Sequence, residues 1–136
     1  MSRQVTRVEL ETMTDERGNL TVAEGHLQMP FEVKRIFILH GLTKGSWRGG
    51  HANVDEQLLI VVSGAMRVVT HDGADERQHI LDSPTSGLLI GSMIWRTLHP
   101  LQDDTVLVVL SSTPYGEENY IRDFAQFVAM VGAEDV

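Results

Sequence analysis

The chain has 136 residues, a formal net charge of −8 and no cysteine. That length suits a single domain, 1–136, with a sizeable core. The acid excess argues against a nucleic-acid backbone as partner. The lack of cysteine excludes disulfides, thiolate nucleophiles and cysteine-bound zinc or iron–sulfur centres. The opening MSRQVTRVEL lacks a signal-peptide apolar stretch. No apolar run approaches the roughly 20 residues that span a bilayer, so a cytoplasmic protein with no membrane partner is expected.

In chain order, residues 5–10 alternate weakly and predict an edge strand, and Asp15-Glu16-Arg17-Gly18 predicts a turn into a second short strand over 19–24. Pro30 interrupts, and VKRIFILH (33–40) is a stronger strand, rich in β-branched and aromatic residues. A glycine-bearing loop over 41–50 holds Lys44, Trp47 and Arg48. One long strand is expected over 51–62, turned by Ser63-Gly64 into AMRVVT (65–70). His71-Asp72-Gly73-Ala74 contains Asp-Gly, a strong hairpin signal. Further strands follow at 78–81, 87–90, 94–98 and 105–111, and one helical pattern runs over 117–130, with Ile121, Phe124, Phe127 and Val128 at helical spacing. About ten short strands and one terminal helix predict an all-β jelly roll or small β-barrel.

The organising stretch is RGGHANVDEQLLIVVSG, residues 48–64. On an extended strand i and i+2 share a face, so His51 and Asn53 project together with Ala52 behind them. The apolar run that follows has no solvated face and predicts a buried strand.

PFEVKRIFIL, RGGHAN…EQ, VVSGAMRVVTHDG, LDSP…GLLIG…W and the closing NYIRDF resemble, in order and spacing over almost the whole chain, the sugar-nucleotide 3,4-ketoisomerase family. The resemblance implies a cupin-type small β-barrel, a homodimer, no metal or other cofactor, and a dTDP-sugar in the barrel mouth. The implied reaction moves the ketone of dTDP-4-keto-6-deoxyglucose from C4 to C3. Its product feeds an aminotransferase that makes 3-amino-3,6-dideoxy sugars for surface polysaccharide such as lipopolysaccharide. Family members read His-Ala-His where this chain reads His51-Ala52-Asn53. Asparagine forms hydrogen bonds but does not exchange a proton near neutral pH, whereas histidine does. Three accounts of Asn53 follow: a natural variant working through His51, a binding protein without turnover, or an introduced replacement that holds substrate.

The chemistry assigns His51 as the base. Arg48 is the best-supported cation for the developing oxyanion, with Asn53 a neutral donor and Arg17 and Arg96 further cations able to orient the sugar. Lys34-Arg35 and Lys44 lie in the densest basic stretches and suit a diphosphate. Lys34 and Arg35 are adjacent and point opposite ways, so one is a surface residue. Trp95 and Phe37 suit stacking on the base or lining the pocket, and Gln57 the pocket wall or an internal network. His99 is a candidate second proton carrier. Tyr120 and Arg122 read as structural or dimer-related. The alternatives are a non-catalytic dTDP-sugar-binding module, a 3,5-epimerase and a metal-dependent cupin. The last fits poorly, because residues 87–95 hold no histidine and His51, Asn53 and Glu56 complete no 2-His-1-carboxylate set.

Overall fold

The computed structural model describes residues 3–134. Its strands are β1 (Val5–Glu9), β2 (Glu11–Asp15), β3 (Gly18–Val22), β4 (Arg35–Leu42), β5 (Arg48–Asn53), β6 (Gln57–Ser63), β7 (Met66–His71), β8 (Glu76–Leu81), β9 (Ser86–Ile90), β10 (Ile94–Pro100), β11 (Thr105–Ser111) and β12 (Tyr120–Ile121). A single helix, α1 (Phe124–Glu134), follows a 3-10 turn at Glu117–Asn119. No described helix is long and apolar enough to cross a membrane.

Two five-stranded antiparallel sheets face one another, in the orders β1-β9-β6-β11-β4 and β12-β5-β10-β7-β8. The chain passes repeatedly from one sheet to the other, as a cupin-type jelly roll requires. The sheets stay separate in their hydrogen bonding rather than closing into a continuous barrel. The expected edge strand is β1, paired only with β9. The hairpin β2–β3 stands apart as its own sheet; its first strand, ETMTD, is mostly exposed and has one apolar residue, so it shows no alternation to read.

Between the sheets lies the main core, which includes Leu59, Val61, Met66, Val68, Leu88, Ile90, Leu98 and Leu107. Alternate residues of β6, Leu58 and Ile60, face the other way and are sealed by Leu10, Met29 and Phe31. This two-sided burial is the reason the stretch has no polar alternation. The outer face of the second sheet is closed by α1, where Phe127 and Val131 pack on Ala52, Met93 and Ile121. Burying the Phe127 ring contributes about 2 kcal/mol.

Two expectations are corrected. The strand over 51–62 is two strands in different sheets, β5 and β6, joined by a corner at Val54-Asp55-Glu56. The corner is stable because its backbone groups are met elsewhere: Val54 N donates to Asn119 O at 2.9 Å, and Glu56 N to Ser112 Oγ at 2.9 Å. The helix expected from residue 117 begins only at Phe124. Asp123 caps it, its carboxylate accepting from Gln126 N at 3.0 Å. The residues before the cap are taken up by pairing with β5, Tyr120 opposite Asn53 and Ile121 opposite Ala52.

Candidate active site

The site is built on β5. Arg48 and His51 differ by three positions, which on a regular strand puts them on opposite faces. A bulge changes this. On β10, Arg96 pairs with His51 and the next residue, Thr97, pairs with Gly49, so Gly50 is the extra residue. Gly49 and Gly50 both take positive φ, 90° and 81°, and a Cβ on Gly49 would stand 2.9 Å from the Arg96 carbonyl oxygen. With one residue inserted, Arg48 and His51 both line the same cavity. Asn53 follows on the inward face, fully buried, while Ala52 turns outward under α1.

The cavity holds about 480 Å³. Its apolar floor is Phe37, Leu39, Leu59, Leu98 and Val109, contributed by both sheets. Polar groups converge above the floor: His51, Gln57 and Arg96 from the strands, and Tyr115, Tyr120 and Arg122 from the segment ahead of α1. A concave, largely apolar pocket with a few convergent polar groups is the usual form of a small-molecule site. Among the described residues, no three His, Asp or Glu side chains are placed to hold a metal ion.

Arg96 is the largest fully buried side chain, 2 % exposed. Its Nη1 donates to Gln57 Oε1 at 2.8 Å, and its Nη2 to its own strand at Ile94 O at 2.9 Å. Gln57 Nε2 in turn donates to Asp55 Oδ2 at 3.0 Å, an oxygen that also accepts the Ser111 hydroxyl. Arg35 lies 3.9 Å from the same carboxylate oxygen and donates to the Tyr120 hydroxyl at 3.2 Å. Two cations and one carboxylate thus share a buried network, where removing either partner of a pair would leave a costly unmet charge. Burial lowers the Arg96 pKa to about 10, opposed by Asp55 and Tyr120, so the guanidinium remains cationic at neutral pH.

His51 stands edge-on to the Tyr120 ring, with centroids 5.0 Å apart. Its pKa is lowered to about 4, first by burial and then by Arg96 and Arg122. Asn53 and Asp55 act the other way and favour the protonated ring. The Asn53 amide is close enough for this effect but not aligned for a good hydrogen bond; both its Nδ2 and Oδ1, and His51 Nδ1, are buried without a hydrogen-bond partner. His51 is therefore neutral across the physiological range, the form in which it can accept a proton.

Of the residues singled out from sequence, His51, Arg48, Gln57 and Arg96 come together around this cavity, with Asn53 beside them. Arg35 lines an adjoining cleft with Phe37, Tyr115 and Tyr120. Its neighbour Lys34 is exposed and paired with Glu32 at 3.5 Å, as adjacency on a strand demands. Four residues lie elsewhere. Arg17 sits on the β2–β3 hairpin, bound to Asp15 at 2.7 Å. Lys44 is exposed on its loop, outside the cavity lining. Trp95 points to the opposite face of β10 from Arg96 and packs against Phe124 and Phe127, because alternation sends it toward α1. His99 bonds Thr97 Oγ1 at 2.9 Å and does not line the cavity. Tyr120 and Arg122, read from sequence as structural or dimer-related, are cavity residues. Arg122 lies over the Tyr120 ring at 4.9 Å and is held by Glu117 at 2.8 Å. Only the pairing of β12 with β5 could have signalled this, and a two-residue strand leaves no periodicity to read.

The family described as "FdtA: WxcM-like, C-terminal" matches residues 3–132. The chain is 33% identical over 131 residues to the TDP-4-oxo-6-deoxy-alpha-D-glucose-3,4-oxoisomerase of Aneurinibacillus thermoaerophilus, covering 93% of this chain and 94% of that protein. It superposes on a 3,4-ketoisomerase from Helicobacter canadensis with a TM-score of 0.92 at 34% identity, over 96% of this chain and 99% of that one. A histidine-to-asparagine mutant of the 3,4-ketoisomerase QdtA from Thermoanaerobacterium thermosaccharolyticum, in complex with TDP-4-keto-6-deoxyglucose, matches with a TM-score of 0.92 at 28% identity, over 98% and 97% of the two chains. With its jelly roll, its apolar cavity and a neutral histidine beside a buried arginine, the chain belongs to the TDP-sugar 3,4-ketoisomerase family.

Proposed function

We propose that this chain converts dTDP-4-keto-6-deoxyglucose to the 3-keto isomer, with His51 as the base that removes the C3 proton. The observation that carries the reading is His51 itself, depressed to about 4 and set in the cavity wall opposite Arg96. Loss of the C3 proton places negative charge on the C4 oxygen. Arg96, cationic and held rigidly by Gln57, is suited to stabilise that charge without reorganisation. Arg48 and Arg122 at the cavity and Arg35 beside it suit the diphosphate and sugar. The Asn53 amide, buried behind His51, leaves both a donor and an acceptor unpaired beside the cavity. The product is a ketone of the kind an aminotransferase consumes in building 3-amino-3,6-dideoxy sugars.

The reading includes a homodimer. Ile36 and Ile38 on β4 are 59% and 55% exposed on the outer face of the first sheet, an apolar surface that a second copy would cover. Met13 and Leu20 of the β2–β3 hairpin are also exposed. Arg17, on that hairpin, lines a hollow made wholly of hairpin residues, so it can serve substrate binding only in the cavity of a second copy.

The test is proton NMR of the chain with dTDP-4-keto-6-deoxyglucose in D₂O. Growth of the 3-keto product with deuterium at C4, and deuterium at C3 of the remaining substrate, are expected. Tight TDP binding with neither exchange nor product would instead support a sugar-nucleotide-binding module, and deuterium at C5 a 3,5-epimerase.

A further inference from the structure

We propose that Tyr120 is the second proton carrier of the reaction, the group that delivers the proton to C4. The inference rests on the ketoisomerase reading above and extends it to the step that His51 leaves open. Isomerisation needs a proton placed on C4, and Asn53, next to His51 on the inward face, cannot supply one. Directly across the strand pair from Asn53 stands Tyr120. Its ring meets the His51 ring edge-on at 5.0 Å, and both line the same cavity.

The surroundings of the phenol fit the role. Arg35 Nη2 donates to the Tyr120 hydroxyl at 3.2 Å, so the oxygen is already an acceptor and its own proton is free to be given away. The same guanidinium is poised to stabilise the phenolate that would result, and Arg122 lies over the ring at 4.9 Å. Arg35 is itself fixed, half-buried, by Asp55 and by the faces of Phe37 and Tyr115 at 5.1 and 5.6 Å. Two cations around one phenol, in an acidic protein, are more than packing requires.

The step balances without any added reagent. His51 takes the C3 proton, the C3–H electron pair becomes the C3–C4 double bond, and the carbonyl pair moves to the C4 oxygen. The proton of the C3 hydroxyl passes to that oxygen. Tyr120 then gives its proton to C4, the double-bond pair forms the new C4–H bond, and the C3 oxygen becomes the carbonyl. The His51 imidazolium returns its proton to the Tyr120 phenolate, and both groups are restored.

The experiment compares the parent chain, Tyr120→Phe and the double variant Tyr120→Phe/Asn53→His, each with dTDP-4-keto-6-deoxyglucose in D₂O and each first checked for TDP binding by calorimetry. Tyr120→Phe should bind TDP within about threefold of the parent and still wash deuterium into C3 of the substrate. Its 3-keto product should fall by about 100-fold or more. Adding Asn53→His should restore product, because it returns a titratable group across from the lost phenol. Product at the parent rate from Tyr120→Phe overturns the proposal. So does loss of C3 exchange together with product while TDP still binds, which would place Tyr120 with the base. If the parent neither exchanges nor converts, it is the ketoisomerase reading that fails, and this step falls with it.

Discussion

Gln57 hands the buried charge of Asp55 on to Arg96. A carboxylate only accepts, so Gln57 must turn its amide nitrogen to Asp55, at 3.0 Å, and its carbonyl is then fixed toward Arg96 Nη1, at 2.8 Å. The arginine that faces His51 across the strand pair is thereby oriented from the opposite sheet. Replacing Gln57 with Leu would leave an unmet donor on a buried guanidinium, at a cost of about 1–3 kcal/mol. We expect Gln57→Leu to lower the unfolding free energy by that amount in urea and to reduce kcat/KM about tenfold. An unchanged urea midpoint would show that Arg96 finds another partner and that the relay is not needed.

The depressed pKa of His51 makes stability depend on pH in a defined window. Unfolded, the imidazole titrates near 6.5; folded, it titrates near 4. The unfolded state therefore binds the extra proton first, and the stability contributed by neutral His51 is present above about 6.5 and is lost as pH falls toward 4. Between pH 7.5 and pH 5 the loss attributable to His51 is about 2 kcal/mol. His51→Asn should lose less stability than the parent over that interval, by urea denaturation at the two pH values. Other histidines are common to both proteins and cancel. Equal losses would mean that His51 is not held neutral by burial.

Arg96 is the second cause of that depression, after burial. Arg96→Met removes a cation and should raise the His51 pKa, moving the acid limb of the kcat/KM profile to higher pH while kcat falls for want of oxyanion stabilisation. We expect kcat lower by roughly 100-fold. An acid limb that stays in place would remove Arg96 as a determinant of His51.

The two-glycine bulge is the device that puts Arg48 and His51 on one side. Gly49→Ala would require a Cβ 2.9 Å from the Arg96 carbonyl at a φ of 90°. It should destabilise the fold by roughly 1–3 kcal/mol and lower TDP affinity, read by thermal unfolding and calorimetry. Gly45 also takes positive φ, 87°, but has no atom within 4 Å of a Cβ, so Gly45→Ala should leave TDP affinity unchanged. Equal effects on affinity would argue against a specific role for the bulge.

The apolar face of β4 predicts the assembly state. A double variant, Ile36→Lys and Ile38→Glu, should run in light scattering as a 15.2 kDa monomer, and the parent at twice that mass. If the hairpin residue Arg17 serves the cavity of a second copy, the same variant loses turnover with its own His51 untouched. A parent that is already monomeric ends this reading.

Much of this protein is legible in its chain. The apolar run Leu58 to Val62 predicts a buried strand, and all of it but the exposed Val62 is buried; the alternation of His51, Ala52 and Asn53 predicts which side chains share a face. Those features are local: they depend on the pleat and on hydrophobicity a few residues apart. What the sequence could not decide were the matters set by non-local pairing. The alternating His51, Asn53, Asp55 and Gln57 read as one strand, yet the corner at 54–56 sends its two halves into opposite sheets, because Ser112 and Asn119 supply hydrogen bonds from far along the chain. Trp95 reads from sequence as a pocket aromatic, yet α1 covers its face of β10. Tyr120 stands in the closing NYIRDF motif but nothing in that motif places it in the cavity; it is a neighbour of His51 only because β12 adds to the edge of β5. Composition and periodicity determined the jelly roll and the polar face of its central strand. The tertiary structure alone decided which distant residues complete the cavity, since contacts across a sheet edge are made by backbone pairing that leaves no pattern in the sequence.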